Sequence, residues 1–127
     1  MTRSIVNEEL QAATTILATE TAMGGEIDTR NFDQMVIWLD YTKGDETGVY
    51  IVPKYLAAPS GDEHEHMEWS VDDHQVKSAK DFYLTATGKA YIVLDVKAFP
   101  LIKLYNDANG GTPTGKLQVS YTLLRRV

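Results

Sequence analysis

The residues best suited to chemistry are gathered in one short stretch. His64, His66 and His74 are the three histidines of the chain, and all lie within residues 62–74. The same stretch holds Asp62, Glu63, Glu65, Glu68, Asp72 and Asp73, and no Lys or Arg. Carboxylate oxygens and imidazole nitrogens are ligands for divalent cations. On an extended backbone His64 and His66 would project to the same side. Asp72 and His74 would complete a ligand set from the next turn. The spacing matches neither a calcium-binding loop nor the HExxH helix of zinc enzymes. A run of charge is more often a solvated face than a site. The favoured reading is therefore an exposed acidic loop with no metal, and His64, His66, Asp72 and His74 are the ligands only if an ion is held. Such a loop would also complement a basic patch on a partner, selecting it and steering its approach.

Other chemistry is thinner. A serine hydrolase would need one of the five serines with His74 and an aspartate, and there is no GxSxG elbow. No pair of acids has the apolar setting that would raise one pKa for glycoside hydrolysis. Gly24-Gly25 and Gly110-Gly111 read as turns, since neither is followed by Lys-Ser/Thr as in a phosphate loop. Exposed aromatic residues can stack on sugars. Trp69, beside the acidic loop, is the best placed for that, whereas Trp38 and most of the seven tyrosines are expected to fill the core or cap its rim. No catalytic or cofactor-binding residue is assigned.

The elements that must carry these residues are strands. Residues 35–41 alternate, with Met35, Ile37, Leu39 and Tyr41 on one face and Val36, Trp38 and Asp40 on the other. Residues 49–56 form a strand whose Pro53 cannot donate to a ladder, which places it at an edge or a bulge. Further strands are expected over 13–21, 67–71, 81–86, 90–96, 101–105 and 116–124, the last alternating most regularly. The polar segment 42–48 has hairpin-loop length, and 106–115 is a turn-rich loop. Inward residues are expected to be Ile37, Leu39, Ile51, Phe82, Leu84, Ile92, Leu94, Ile102, Leu104, Val119 and Tyr121. Val6, Leu10 and Ala13 have helical spacing, so residues 1–12 read as an arm or a helical turn ahead of a β domain over 13–127. About eight short strands separated by turns predict an all-β, antiparallel β-sandwich or jelly-roll-like barrel.

Composition bounds the function. The 127 residues suit one domain. The net charge is −6, and outside residues 62–74 acids and bases balance at 12 each. That acidity disfavours nucleic-acid binding. No apolar run reaches the ~20 residues of a membrane-spanning helix, and no signal peptide is visible. With no cysteine, disulfide scaffolds, thiol catalysis and cysteine-ligated zinc are excluded.

Three features carry a resemblance. They are the apolar strand running through Trp38-Leu39-Asp40-Tyr41 into Thr42-Lys43-Gly44, the strands 90–96 and 101–105 read as a pair, and a closing hairpin over 109–123 that is rich in threonine and glycine. In these the chain resembles the small β-sandwich structural proteins of tailed-phage virions, including capsid decoration (cement) and head proteins. The resemblance implies a non-enzymatic virion protein, made in the host cytoplasm, that docks on the major capsid protein or other virion subunits, often as a homo-oligomer. It implies no cofactor and no site residue. A head-to-tail connector, a tail component and a carbohydrate-binding sandwich module are the alternatives.

Overall fold

The computed structural model describes residues 2–65, 67–70, 75–78 and 82–126. It is all-β and antiparallel throughout. The strands are β1 (Thr2–Thr15), β2 (Thr21–Asp28), β3 (Gln34–Thr42), β4 (Gly48–Leu56), β5 (Glu63–Glu65), β6 (Met67–Ser70), β7 (Gln75–Ser78), β8 (Tyr83–Leu84), β9 (Gly88–Asp95), β10 (Leu101–Asn109) and β11 (Lys116–Arg126). One sheet has the order β1-β11-β3-β9. The other has the order β2-β10-β4-β5, with β8 also on β4. The two pack face to face as a β-sandwich, with no closed barrel. β6 and β7 form a separate two-stranded ladder.

Period-two alternation puts the core where it was expected. Ile37, Leu39, Ile51, Leu94, Ile102, Leu104, Val119 and Tyr121 are buried between the sheets. Phe82, Leu84 and Ile92 pack against that core only partly buried. Met23, Met35, Tyr41, Val49, Leu117 and Leu123 belong to the same core.

The connections depart from expectation. β1, β3, β9 and β11 belong to one sheet and β2, β4 and β10 to the other, so the chain changes sheet at almost every turn. Neither 42–48 nor 109–116 closes a hairpin. Each is an arch that carries the chain across the sandwich. The strands 90–96 and 101–105 are likewise not paired: β9 lies on β3, and β10 lies between β2 and β4. A five-residue polar segment can close a hairpin or cross the ~10 Å between packed sheets, so length does not decide between them.

The arches are laced together at both ends. At one end Thr29 N–H donates to the Pro100 carbonyl (3.0 Å), the Thr29 hydroxyl donates to the Phe99 carbonyl (2.6 Å), and Val96 N–H donates to the Asp33 carbonyl (3.0 Å). At the other, Ile16 N–H donates to the Gly115 carbonyl (3.0 Å) and Thr47 N–H to the Asn109 carbonyl (2.7 Å).

Two further expectations are corrected. Residues 2–12 are neither arm nor helical turn but most of β1, paired along its length with β11. Register shifts at Ser4/Val6, Glu9/Gln11 and Gln11/Thr14 interrupt its alternation, which is why its apolar residues do not show a clean strand pattern. Gly24-Gly25 is not a turn between strands but a bulge within β2, where residues 24–26 stand opposite Lys103 alone. Gly24 has φ +65°, in the left-handed region that glycine enters without strain.

Pro53 is accommodated at an edge gap. Ile51 N–H donates away from β10, to the Phe82 carbonyl (2.8 Å), so the nitrogen of Pro53, two residues on, faces the same side. On that side β8 pairs with Val49 and Tyr50, and β5 with Lys54, Tyr55 and Leu56. Pro53 falls between them, where no ladder bond is required.

Candidate functional site

The acidic stretch is only partly brought together. His64 is exposed on β5, opposite Tyr55. His66, Asp72 and His74 lie outside the described residues. Among the described residues no group of three or more His, Asp or Glu is arranged to hold a metal ion. Glu63 is already engaged: the Tyr105 hydroxyl donates to its Oε1, and Lys103 Nζ is 3.4 Å from the same oxygen. The tyrosine hydrogen bond, joined by Lys103, lowers the Glu63 pKa. Lys54 pairs with Glu20 and stands over the Tyr105 ring, 4.5 Å from its centroid, with Lys103 at 5.5 Å. The root of the acidic loop is thus a charge-balanced cluster on one sheet face. The backbone of Trp69 lies in β6 opposite Val76, and its side chain lies outside the described residues.

A more unusual carboxylate is Glu46, fully buried in the β3–β4 arch. Its Oε1 accepts from Thr114 N–H (3.0 Å) and Gly115 N–H (2.9 Å), and its Oε2 from Gly44 N–H (2.9 Å) and the Tyr41 hydroxyl. Burial by itself would raise the pKa. The tyrosine and backbone donors outweigh it and hold the carboxyl at about 2. The same setting, burial first and then Glu46, pushes the Tyr41 hydroxyl well above its ordinary value. A carboxylate with its acceptor sites filled is a poor base. Glu46 is instead a clamp, joining the β3–β4 arch to the β10–β11 arch. No motif announces it, because half its donors come from residues nearly seventy positions further on.

The surface feature most suited to recognition lies on the outer face of the β1-β11-β3-β9 sheet. Trp38 does not fill the core. It is 47% exposed, with Tyr91 66% and Val93 48% exposed beside it on β9. The rings of Trp38 and Tyr91 are 6.0 Å apart and tilted by 50°. Trp38 Nε1–H donates to the Thr122 hydroxyl (3.0 Å), which donates to Asn7 Oδ1 (2.6 Å), so three strands hold the indole in place. Shallow grooves of ≈ 250 and ≈ 300 Å³ flank it. Asp40, Lys89, Gln118 and Ser120 line the first, and Asn7, Glu9, Ser120 and Thr122 are among those lining the second. The result is an ordered aromatic platform bordered by hydrogen-bonding groups. The position was visible in the outward phase of Trp38 on its strand, but aromatic residues are more often core than surface.

No family model matches the sequence, and no curated protein matches it significantly. Solved structures do match. The SPBc2 prophage-derived protein YomS aligns over 98% of this chain and 95% of its own, with a TM-score of 0.59 and 13% identity. The PBSX exported protein XepA aligns over 97% of this chain with a TM-score of 0.53 and 15% identity. The chain spans 38% of XepA. These likenesses are of fold: this chain shares the β-sandwich of a prophage-derived protein over nearly its whole length.

Proposed function

We propose that this chain is a non-enzymatic structural protein of a phage particle, and specifically a decoration protein that docks on the assembled shell and stabilises it. The observation that carries the reading is the sandwich shared end to end with a prophage-derived protein of nearly the same length. The arrangement of the molecule supports it. Among the described residues the one fully buried acid, Glu46, is spent as a clamp between arches, and the exposed Trp38 and Tyr91 stand on the outer face of a sheet. A face of that kind suits docking on a large partner. Many identical contacts on one shell stabilise the assembled state by mass action.

The test is quantitative mass spectrometry of purified particles, paired with heat challenge of particles lacking the protein. Hundreds of copies per particle and earlier loss of the deficient shells are the expected results. A single ring's worth of copies would transfer the protein to the head-to-tail connector or tail. Absence from particles would overturn the reading.

A second reading is favoured by one feature, the platform of Trp38 and Tyr91. Paired aromatic rings edged by Asp40, Lys89 and Gln118 have the chemistry of a carbohydrate-binding face. Glycan-array binding that disappears in Trp38→Ala would favour it, and silence on the array would dismiss it.

A further inference from the structure

The edges of the two sheets are treated differently. A long regular edge strand invites pairing with another chain, and proteins blunt such edges with bulges, prolines or cover. β1 carries three register shifts, and β2 carries the Gly24 bulge. The outer side of β4 is covered by β5 and β8, with Pro53 in the gap. Among the described residues β9 has none of these devices. It pairs with β3 in unbroken register from Gly88 to Asp95, and among the described residues no strand lies on its other side. Tyr91 and Val93 project from it, largely exposed.

We propose that two copies of this chain associate through β9, antiparallel about a two-fold axis at Ile92, joining their four-stranded sheets into one continuous sheet. The register follows from three constraints. First, Val96 N–H donates toward β3, to the Asp33 carbonyl, so alternate N–H groups back along the strand turn the same way. The N–H and C=O groups of Lys89, Tyr91, Val93 and Asp95 therefore face the open edge. Second, a two-fold pair must set odd residues opposite odd ones, or side chains of the core face would meet those of the outer face. Third, the centre must use the length of the strand, which leaves Tyr91 or Ile92. With Tyr91 at the centre, Lys89 faces Val93 of the second copy and Asp95 falls opposite Thr87. With Ile92 at the centre, Lys89 faces Asp95 twice, Tyr91 faces Val93 twice, and Ile92 meets itself. Only the Ile92 register pairs opposite charges at both ends and apolar groups between them. Asp40 stands opposite Lys89 on β3, so the ammonium would lie between the two carboxylates. This symmetric interface does not depend on the virion reading.

The chain has no cysteine, which makes the test direct. The wild-type protein should show a mass about twice its 14.2 kDa in light scattering. Ile92→Cys should form a disulfide-linked dimer under mild oxidation, because only the Ile92-centred register sets this residue against itself, at a non-hydrogen-bonded pair where the two β-carbons are close. Tyr91→Cys should not cross-link. Val93→Pro removes an N–H that faces the open edge and none that bonds β3, so it should yield a folded monomer. A wild-type protein of single-chain mass would overturn the proposal. A larger assembly in which Ile92→Cys stays unlinked would do so too, placing the contact elsewhere, as in a head-to-tail ring. Cross-linking through Tyr91→Cys would refute the register. If Ile92→Cys does not fold, the wild-type mass and Val93→Pro decide: a dimer that Val93→Pro leaves intact overturns the edge contact.

Discussion

The α-carbon of Gly115 lies against the carboxylate of Glu46, close enough that its N–H donates to Oε1 over 2.9 Å. A β-carbon at this position would overlap Oε2 and come within 2.8 Å of the Thr42 carbonyl oxygen. Neither neighbour can yield, since one is held by several hydrogen bonds and the other belongs to the β3 backbone. Gly115→Ala is therefore expected to cost about 2–4 kcal/mol, in the range of overpacking combined with a disturbed buried polar group. Thermal unfolding followed by circular dichroism checks this. A midpoint within a degree of wild type would mean that the arches are not clamped here.

The same carboxylate makes stability depend on acid. Its pKa is lowered from 4.5 to about 2 in the folded protein, so the unfolded state binds its proton first as pH falls. The contribution is fully present above pH 4.5 and is lost as pH drops toward 2. At about 1.4 kcal/mol per unit it amounts to roughly 3 kcal/mol. Tyr41→Phe removes the hydroxyl donor and lets the folded pKa rise toward 4.5, so the acid-dependent loss should be smaller and complete at a higher pH, and the neutral-pH stability should fall by about 1–2 kcal/mol. Urea titrations of the two proteins from pH 6 to pH 2 measure both. Parallel curves across that range would show that the Tyr41 hydroxyl does not hold the carboxylate ionised.

The clamp also marks the limit of what the sequence makes legible. β3 and β11 are readable because their apolar residues recur every second position, and a pleated backbone turns that recurrence into one buried face. Sheet membership is not readable. The five residues between Thr42 and Gly48 suit a hairpin and an arch equally, and only tertiary packing chooses. β1 was disguised by its own bulges, which slip the alternation and leave Val6, Leu10 and Ala13 in helical spacing. Glu46 resembles any acid of a polar loop until the β10–β11 arch folds over it. Trp38 was on view as an outward residue of β3, but its exposure depends on no element crossing that face.

A surface ion pair supplies a contrast with the buried clamp. Arg30 and Asp28 form a two-point contact, with Nε to Oδ1 at 2.9 Å and Nη2 to Oδ2 at 2.6 Å. Their side chains are nevertheless 65% and 53% exposed. The arginine hydrogen bonds lower the Asp28 pKa to about 2, yet solvent screens most of that interaction. Arg30→Ala should leave the denaturation midpoint close to that of the wild type. Chemical denaturation at low and high salt checks it. A larger, salt-sensitive loss would mean that this pair helps to set the end of β2.

Thr122 is the residue on which the aromatic platform rests. Its hydroxyl accepts from the Trp38 indole and donates to Asn7, linking β3, β11 and β1 through one oxygen. Thr122→Val keeps the branched shape and removes that oxygen, leaving the indole N–H without its acceptor. Because Thr122 is buried, the expected cost is about 1–2 kcal/mol. Because the partners lie on three strands, the effect should also appear locally, as faster amide exchange in β1 and a weaker near-ultraviolet tryptophan signal. Thr122→Ser, which restores the oxygen without the methyl, should recover both signals even if some stability is lost. Equal signals in Thr122→Val and wild type would show that the indole is held by its contacts with Tyr91 rather than by the hydroxyl.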